Sequence, residues 1–135
     1  LDRVRAAHGV ALLVDCHSIR SVIPYLFEGT LPDINIGTVD GRSCGAPVSA
    51  ATREVLGAPH PYRVVFNARF KGGWTTREYG RPSQGIHALQ IELAQRTHLT
   101  TESPPFDFDD TRAAPLRALL RTLLSTLDTL APTLA

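Results

Sequence analysis

A short apolar segment at residues 10–16 is the sequence feature that most limits how this chain can fold. It runs Val-Ala-Leu-Leu-Val-Asp-Cys and then passes into polar residues. Such a segment is typical of a strand buried on both faces of a parallel sheet. Residues 1–9 before it are typical of the last turns of a helix that Gly9 closes. Because a helix ends so close to residue 1, we expect the sequence to begin inside a larger domain; a short natural protein without its Met is the alternative.

Strand-like and helix-like segments alternate along the rest of the chain. Strands are predicted at 33–36, 62–67 and 86–93, and a helix reaching Thr97 is the alternative for the last of these. Helices are predicted at 47–56 and 110–131, the second from leucines spaced three and four apart. The polar, glycine-rich residues 68–85 predict a long loop with a working role. This order predicts a single α/β domain over residues 1–135, with a mixed, largely parallel sheet flanked by helices.

Charge and composition exclude some classes of function. Lys and Arg total 14 and Asp and Glu total 13, so the net charge of +1 disfavours nucleic acid as the main partner. No run of about 18 apolar residues is present, so we expect no membrane span. The lack of a signal-peptide pattern favours the cytoplasm. Two cysteines do not form a disulfide framework, and nothing in the composition indicates the oligomeric state.

The first candidate site is Asp15-Cys16-His17, at the carboxyl end of the first predicted strand. In open α/β sheets, ligands bind beyond that end of the strands. Asp15 and His17 share one face, because strand side chains alternate with period two. A neutral imidazole oriented by a carboxylate is a good zinc ligand, so the pattern is consistent with a metal site. A polar strand end satisfied by hydrogen bonds is the alternative.

Two further features suit a small acidic ligand and a proton transfer. The loop at 68–85 combines glycines with Arg69, Lys71, Arg77 and Arg81, which could bind a carboxylate; a solvated basic loop is equally compatible with this pattern. Glu92 lies in an otherwise apolar strand, where a carboxylate is either paired or functional, because an unpaired buried charge is costly. A general base beside an activated water and a salt bridge to an arginine both remain open.

Residues 41–45, Gly-Arg-Ser-Cys-Gly, match the nucleophile-elbow pattern of serine hydrolases. That mechanism needs an acid and then a histidine later in the chain, but the last histidine, His98, precedes the plausible acids at 107–110. We therefore regard a hydrolase that uses Ser43 or Cys44 as its nucleophile as a less favoured function for this chain.

Taken together, these motifs resemble the N-formylglutamate amidohydrolase (N-formylglutamate deformylase) family. The resemblance covers about residues 4–130 and corresponds to the C-terminal half of such an enzyme. The segments that carry it are Val14–Ser18, Leu31–Thr38, Gly41–Cys44, Phe70–Pro82 and Gly85–Leu93.

The resemblance implies a zinc-carboxypeptidase-like (phosphorylase/hydrolase-like) domain that is incomplete at its N-terminus. It implies a Zn²⁺-dependent hydrolysis of N-formyl-L-glutamate, or a similar N-acyl acidic amino acid, to formate and L-glutamate in histidine degradation. His17 would be the third zinc ligand, and Glu92 the carboxylate that activates the water. The substrate's carboxylates would be held by Arg77, Asn67, Lys71 and His87.

The same resemblance places the other two zinc ligands upstream of residue 1. We therefore expect this chain alone to bind metal poorly and to show little activity. A truncated, inactive remnant that serves as an interaction module is the alternative function.

Overall fold

The computed structural model describes every residue from 1 to 135, and helices alternate with strands along the chain. The bounds of the main elements are α1 Asp2–His8, β1 Ala11–Ile19, β2 Ile34–Gly37, α2 Ala46–Gly57, β3 Val64–Phe66, α3 Trp74–Tyr79, β4 Ile86–Ala94 and α4 Asp110–Leu130. Short 3₁₀ turns follow α3, β4 and α4. The α/β class predicted from the sequence is confirmed.

The four strands form one mixed sheet in the order β1-β4-β2-β3. Strand β4 pairs in parallel with β1 and antiparallel with β2, and β2 pairs in parallel with β3. Two of the three strand pairs are therefore parallel, as predicted. Because β4 is flanked by two strands and is buried along almost its whole length, it forms the centre of the sheet.

The prediction that the first strand is buried on both faces is wrong in this structure. Strand β1 lies at the edge of the sheet, and its residues are mostly half-buried or exposed. Its apolar side chains are typical of an interior strand. In this structure only β4 pairs with β1, so the outer edge of β1 has no partner strand.

Helices α2 and α4 pack together against one face of the sheet and form the main core. Ile34, Ile36, Leu89 and Ile91 from the sheet meet Leu123 and other residues of the helices there. The predicted leucine stripe of α4 is confirmed in part: Leu116, Leu123 and Leu127 are buried, whereas Leu124 is 46% exposed. Asp109 caps the start of α4, because its side chain accepts a hydrogen bond from the Arg112 N–H.

The segment 68–85 is not the continuous loop that its glycines predicted. It contains α3 and a 3₁₀ turn at Pro82–Gln84. Because α3 has only six residues and lies between Gly73 and Gly80, no helical periodicity could develop in the sequence. The strand prediction for 86–93 is confirmed over its helical alternative. No helix has the length and apolar character that crossing a membrane requires.

Shortening Leu123 should destabilise the fold far more than shortening its neighbour. Leu123 is fully buried between the sheet and α2, so the Leu123→Ala variant should lower the free energy of unfolding by about 2–5 kcal/mol. The matched Leu124→Ala variant removes a half-exposed side chain and should cost less than about 1 kcal/mol. Urea unfolding of both variants measures the difference, and equal losses would contradict the packing described here.

Candidate active site

The parallel pairing of β1 with β4 places His17 directly beside Glu92. In the register of the two strands, Asp15 lies opposite Gln90 and His17 opposite Glu92. Residues opposite each other in a parallel pair share a face, so these four polar side chains lie together. This face is the one opposite α2 and α4. The structure thus brings together the two residues that carried the hydrolase prediction.

His17 lies at the rim of this polar cluster with a partner already in place. Its Nε2 lies 2.9 Å from Oδ1 of Asp15, and its side chain is 49% exposed. A carboxylate bound to one ring nitrogen fixes the ring orientation and leaves the other nitrogen available as a ligand. This arrangement is the one expected of a metal-binding histidine.

Glu92 lies deeper, with only 6% of its surface exposed. Burial raises the pKa of its carboxyl group above the ordinary value, because the charged form loses solvent. The nearby His17 and the amide of Gln90 oppose this shift and lower the pKa, whereas Asp15 raises it further. A raised pKa makes the carboxylate a stronger proton acceptor than an exposed one, which suits a group that accepts and then returns a proton.

Gln90 is a site residue that the sequence analysis missed. The Gly73 N–H donates to its Oε1 at 2.6 Å, which orients the amide so that Nε2 faces Glu92. Nε2 then donates to Oε2 of Glu92 at 3.4 Å. Because strand side chains alternate with period two, Gln90 shares a face with Glu92, and a glutamine at that position of an apolar strand is the sequence signal that could have identified it.

Asn35 is a second polar residue that the sequence analysis missed. It pairs with Glu92 across the antiparallel β2–β4 ladder and is 1% exposed. Its Nδ2 donates to the backbone carbonyls of Pro32 and Glu92, at 2.9 and 3.2 Å, but its Oδ1 has no hydrogen-bond partner. A buried acceptor without a partner is rare, and this one lies on the strand next to Glu92.

The glycine-rich segment before α3 lies directly on the sheet beside this cluster. A Cβ atom at Gly37 would collide with the backbone of Lys71 and Gly72, so only glycine permits this approach. The Val39 N–H also donates to the carbonyl of Lys71 at 2.6 Å. These contacts place the segment 71–73 within hydrogen-bond reach of Gln90.

Arg77 and Lys71 are both exposed at the edge of this segment. Arg77 donates from Nη1 to the carbonyl of Gly72 at 2.9 Å, which leaves its other donors free. Lys71 forms a 3.2 Å ion pair with Asp40. Arg77 is therefore the better placed of the two to bind an anion, since its guanidinium has no acidic partner.

Asn67 holds the adjacent turn in place. Its Oδ1 accepts from the N–H groups of Thr38 and Asp40, at 2.8 and 3.4 Å, and its Nδ2 donates to Thr38 Oγ1 at 2.8 Å. Both ends of the amide are thus occupied by the chain itself. Asn67 can support the binding segment, but no polar atom of its side chain is left unpartnered.

His87 lies on the opposite face of the sheet from Glu92. Its Nδ1 accepts a 2.9 Å hydrogen bond from the Gly45 N–H at the start of α2. Burial lowers the pKa of this imidazole, which keeps it neutral and able to accept that bond. The structure does not bring His87 together with the residues predicted to share its substrate-binding role.

The alternative nucleophiles are buried. Ser43 is 2% exposed, and its hydroxyl donates to the carbonyl of Ala88 at 2.8 Å. Cys44 packs in the main core, and burial raises the pKa of its thiol. A serine without an adjacent base and a thiol with a raised pKa are both poorly activated, so the geometry does not favour a Ser or Cys hydrolase.

A metal site would be only partly supplied by this chain. No group of three or more His, Cys, Asp or Glu side chains is close enough to hold a metal ion. A catalytic zinc ordinarily takes three protein ligands. His17, with Asp15 behind it, fits the role of one such ligand, so the remaining ligands would have to come from other residues.

Most of this chain is similar to known proteins. The family model for N-formylglutamate amidohydrolase matches residues 1–99. The N-formylglutamate deformylases of Pseudomonas aeruginosa and Pseudomonas putida are 48% and 47% identical over 127 residues, which are 94% of this chain and 47% of each relative. The crystal structure of N-formylglutamate amidohydrolase from Ralstonia eutropha superposes with a TM-score of 0.75 at 22% identity, over 93% of this chain and 45% of that one. The chain thus spans about half the length of its relatives.

Acidification should weaken the fold in part through His87. Burial holds its pKa below the ordinary value of 6.5, so the unfolded chain binds a proton in a pH range where the folded chain does not. The contribution to stability is therefore complete above pH 6.5 and falls as the pH drops towards the folded-state pKa. The His87→Gln variant keeps an acceptor for the Gly45 N–H but cannot titrate.

Urea unfolding from pH 8 to pH 5 tests this prediction. The wild-type chain should lose more free energy of unfolding over this range than the His87→Gln variant. His98, whose pKa burial also lowers, titrates in both proteins and cancels in the difference. Identical pH dependence in the two proteins would show that His87 does not contribute.

Proposed function

The chain belongs to the N-formylglutamate amidohydrolase family, and from this premise we propose that it provides the catalytic carboxylate of a hydrolase. The substrate is N-formyl-L-glutamate, or a similar N-acyl acidic amino acid, and the products are formate and L-glutamate. The observation that best supports this proposal is the position of His17 directly beside Glu92 across adjacent parallel strands.

We propose that the cofactor is Zn²⁺ and that His17 is one of its ligands. The hydrogen bond between Asp15 and one ring nitrogen supports this role, because it orients the imidazole and increases its basicity. When bound, the ion would polarise the formyl carbonyl and lower the pKa of a water molecule.

Glu92 acts as the proton carrier. Its carboxylate accepts a proton from the attacking water, and the resulting hydroxide adds to the formyl carbon. The carboxyl group then returns the proton to the departing amine nitrogen as the carbon–nitrogen bond breaks. The raised pKa of Glu92 suits both steps, and the Gln90 amide holds the carboxyl group in one orientation.

The acidic part of the substrate would bind at the segment 71–73 and at Arg77 in the last turn of α3. Arg77 offers free guanidinium donors for a carboxylate, and Lys71 adds a second positive charge. Asn67 acts indirectly in this proposal, by holding the turn at 38–40 against this segment. His87 has no substrate-binding role here, since it lies on the other face of the sheet.

A non-catalytic role is the second candidate function. The observation that favours it is the shortage of metal-binding side chains within the chain. Such a remnant would keep the fold and bind a partner without turning over substrate.

Replacing Glu92 should abolish hydrolysis with little change in the fold. We expect the Glu92→Gln variant to lower kcat for N-formyl-L-glutamate by about 10²-fold or more, because the amide cannot carry the proton. The measurement is formate release, with Zn²⁺ added, from a polypeptide in which this chain replaces the matching part of the Pseudomonas aeruginosa enzyme. The matched control is Glu78→Gln, which removes a half-exposed carboxylate on α3. Full activity of the Glu92→Gln variant would rule out the proposed mechanism.

Replacing Arg77 should weaken substrate binding more than catalysis. The Arg77→Ala variant should raise KM for N-formyl-L-glutamate about tenfold or more, because a charge-assisted hydrogen bond to a carboxylate is lost. The control is Arg81→Ala, since Arg81 is already paired with Glu78 at 3.6 Å. Equal effects of the two substitutions would show that Arg77 does not select the acidic substrate.

A further inference from the structure

We propose that Arg42 and Arg77 form a pocket that binds the side-chain carboxylate of an acidic substrate, and that Arg42 thereby helps to determine which N-formyl amino acid is accepted. We call this cavity the two-arginine pocket. The identity of its ligand rests on the proposed function, whereas the binding of a carboxylate by the two arginines does not. Nothing in the proposed function uses Arg42.

The two-arginine pocket lies between the turn at 38–43 and helix α3. Val39, Arg42 and Ser43 line it from the turn, and Arg77 and Gly80 line it from the helix and its end. Its volume is about 150 Å³. Pockets that hold a whole drug-sized ligand are about 300–1,000 Å³, so this one suits a single charged group at one end of a small molecule.

The charges that line this pocket are all positive. Arg42 and Arg77 are its only charged lining residues, and neither guanidinium forms an ion pair. The acidic residues near them in the sequence, Asp40 and Glu78, are paired with other basic side chains. A cavity lined by charge of one sign raises the local concentration of counter-ions, so this pocket favours an anion.

Each guanidinium keeps donors for a ligand. Arg42 donates from Nε to the carbonyl of Val39 at 3.1 Å, and Arg77 donates from Nη1 to the carbonyl of Gly72 at 2.9 Å. These bonds orient both side chains but use one nitrogen of each guanidinium, which has five N–H donors. The remaining donors of the two arginines match the two oxygens of a carboxylate.

Close backbone contacts hold the two sides of the pocket together. A Cβ atom at Gly80 would lie 2.6 Å from the Cα of Ser43, so only glycine lets the end of α3 approach the turn. Ser43 is itself attached to β4: the Ala88 N–H donates to its carbonyl at 2.7 Å, and its hydroxyl donates to the carbonyl of Ala88 at 2.8 Å. The positions of both arginine-bearing segments are therefore set by the sheet.

The turn before Arg42 has an uncommon backbone conformation. Val39 and Asp40 have φ values of 52° and 54°. A positive φ is rare for residues other than glycine, and it is an outlier for a β-branched residue such as valine. Such conformations persist where the surrounding structure enforces them, and they cluster at ligand-binding sites. Asn67 enforces this one, because its Oδ1 accepts from the N–H groups of Thr38 and Asp40.

Hydrogen bonds connect the two-arginine pocket with Glu92. Arg77 donates to the carbonyl of Gly72, the N–H of Gly73 donates to Gln90, and Gln90 donates to Glu92. One peptide group and one glutamine amide therefore separate Arg77 from the carboxyl group proposed to carry the proton.

This separation selects one of the two carboxylates of N-formyl-L-glutamate. The amide nitrogen and the first carboxylate are attached to the same carbon, whereas the second carboxylate ends the side chain. When the formyl group lies at Glu92, the side-chain carboxylate is the part that can extend to the pocket. We therefore expect Arg42 to affect the choice of side chain.

The test compares two substrates that differ in this one group, because N-formyl-L-glutamine has a neutral amide in place of the side-chain carboxylate. In the hybrid polypeptide described for the Glu92 variants, Arg42→Ala should lower kcat/KM for N-formyl-L-glutamate about tenfold or more, since charge-assisted hydrogen bonds are lost. The value for N-formyl-L-glutamine should change less than about twofold, because its neutral amide gains little from a guanidinium.

Two further variants control for charge and for structure. Arg63→Ala removes the same charge from an exposed position before β3 that does not line the pocket, and it should leave both values unchanged. Arg42→Lys keeps the positive charge and should retain more of the preference for N-formyl-L-glutamate than Arg42→Ala does. Equal effects of Arg42→Ala on the two substrates would indicate a structural defect and would overturn the proposal.

Binding can also be measured without turnover. In NMR spectra of the 135-residue chain, the Nε–Hε signals of Arg42 and Arg77 should both shift on addition of glutarate, a dicarboxylate without a formyl group. Arg42→Ala should weaken this binding about tenfold. An unresponsive Arg42 signal, or tighter binding of inorganic phosphate than of glutarate, would overturn the proposal. Glutarate binding at both arginines without turnover of either substrate would contradict the proposed function alone and support the carboxylate pocket.

Discussion

The register between β1 and β4 is the constraint on which the candidate site depends. A shift of one residue would move His17 to the face opposite Glu92, because side chains alternate along a strand. The register is set where the two strands begin: Gly9 and Gly85 both have positive φ, and the Ala11 N–H donates to the carbonyl of Gly85 at 2.8 Å. The Cβ of any other residue at position 85 would approach the carbonyl oxygen of Gly9 to 2.9 Å. Two tight turns, distant from the polar cluster, therefore fix which side chains meet within it.

The polar cluster costs folding energy and is tolerated because the chain surrounds it with specific partners. A buried carboxyl group loses solvation, and its raised pKa reflects that loss. Gln90 donates to it, and the Gly73 N–H in turn fixes the orientation of Gln90. The hydrogen bond from Gly73 to Gln90 also anchors the segment 71–73, which leads into the helix that carries Arg77. The carboxylate and the region proposed to bind the substrate are thus linked through one glutamine side chain.

The sequence predicted the elements whose periodicity is long and missed features that depend on tertiary contacts. The leucines of α4 and the alternation in β4 were sufficient to place both elements. The short helix α3 was missed because six residues between glycines carry no periodic pattern. The family resemblance assigned His17 and Glu92 to one mechanism, but their register across β1 and β4 and the role of Asn67 in holding a turn required coordinates. His87 was assigned to the substrate, although its own alternation pattern already placed it on the other face.

β1 is largely apolar at its start, yet it lies at the edge of the sheet. This mismatch between composition and position is informative about the candidate site. An apolar strand of this kind is ordinarily covered on both faces and paired on both edges. Local sequence and tertiary environment usually agree in natural proteins, and a disagreement of this kind is expected at functional or interaction sites. At β1 the disagreement occurs on the same strand that carries His17, whose side chain lies beside Glu92 in the candidate site.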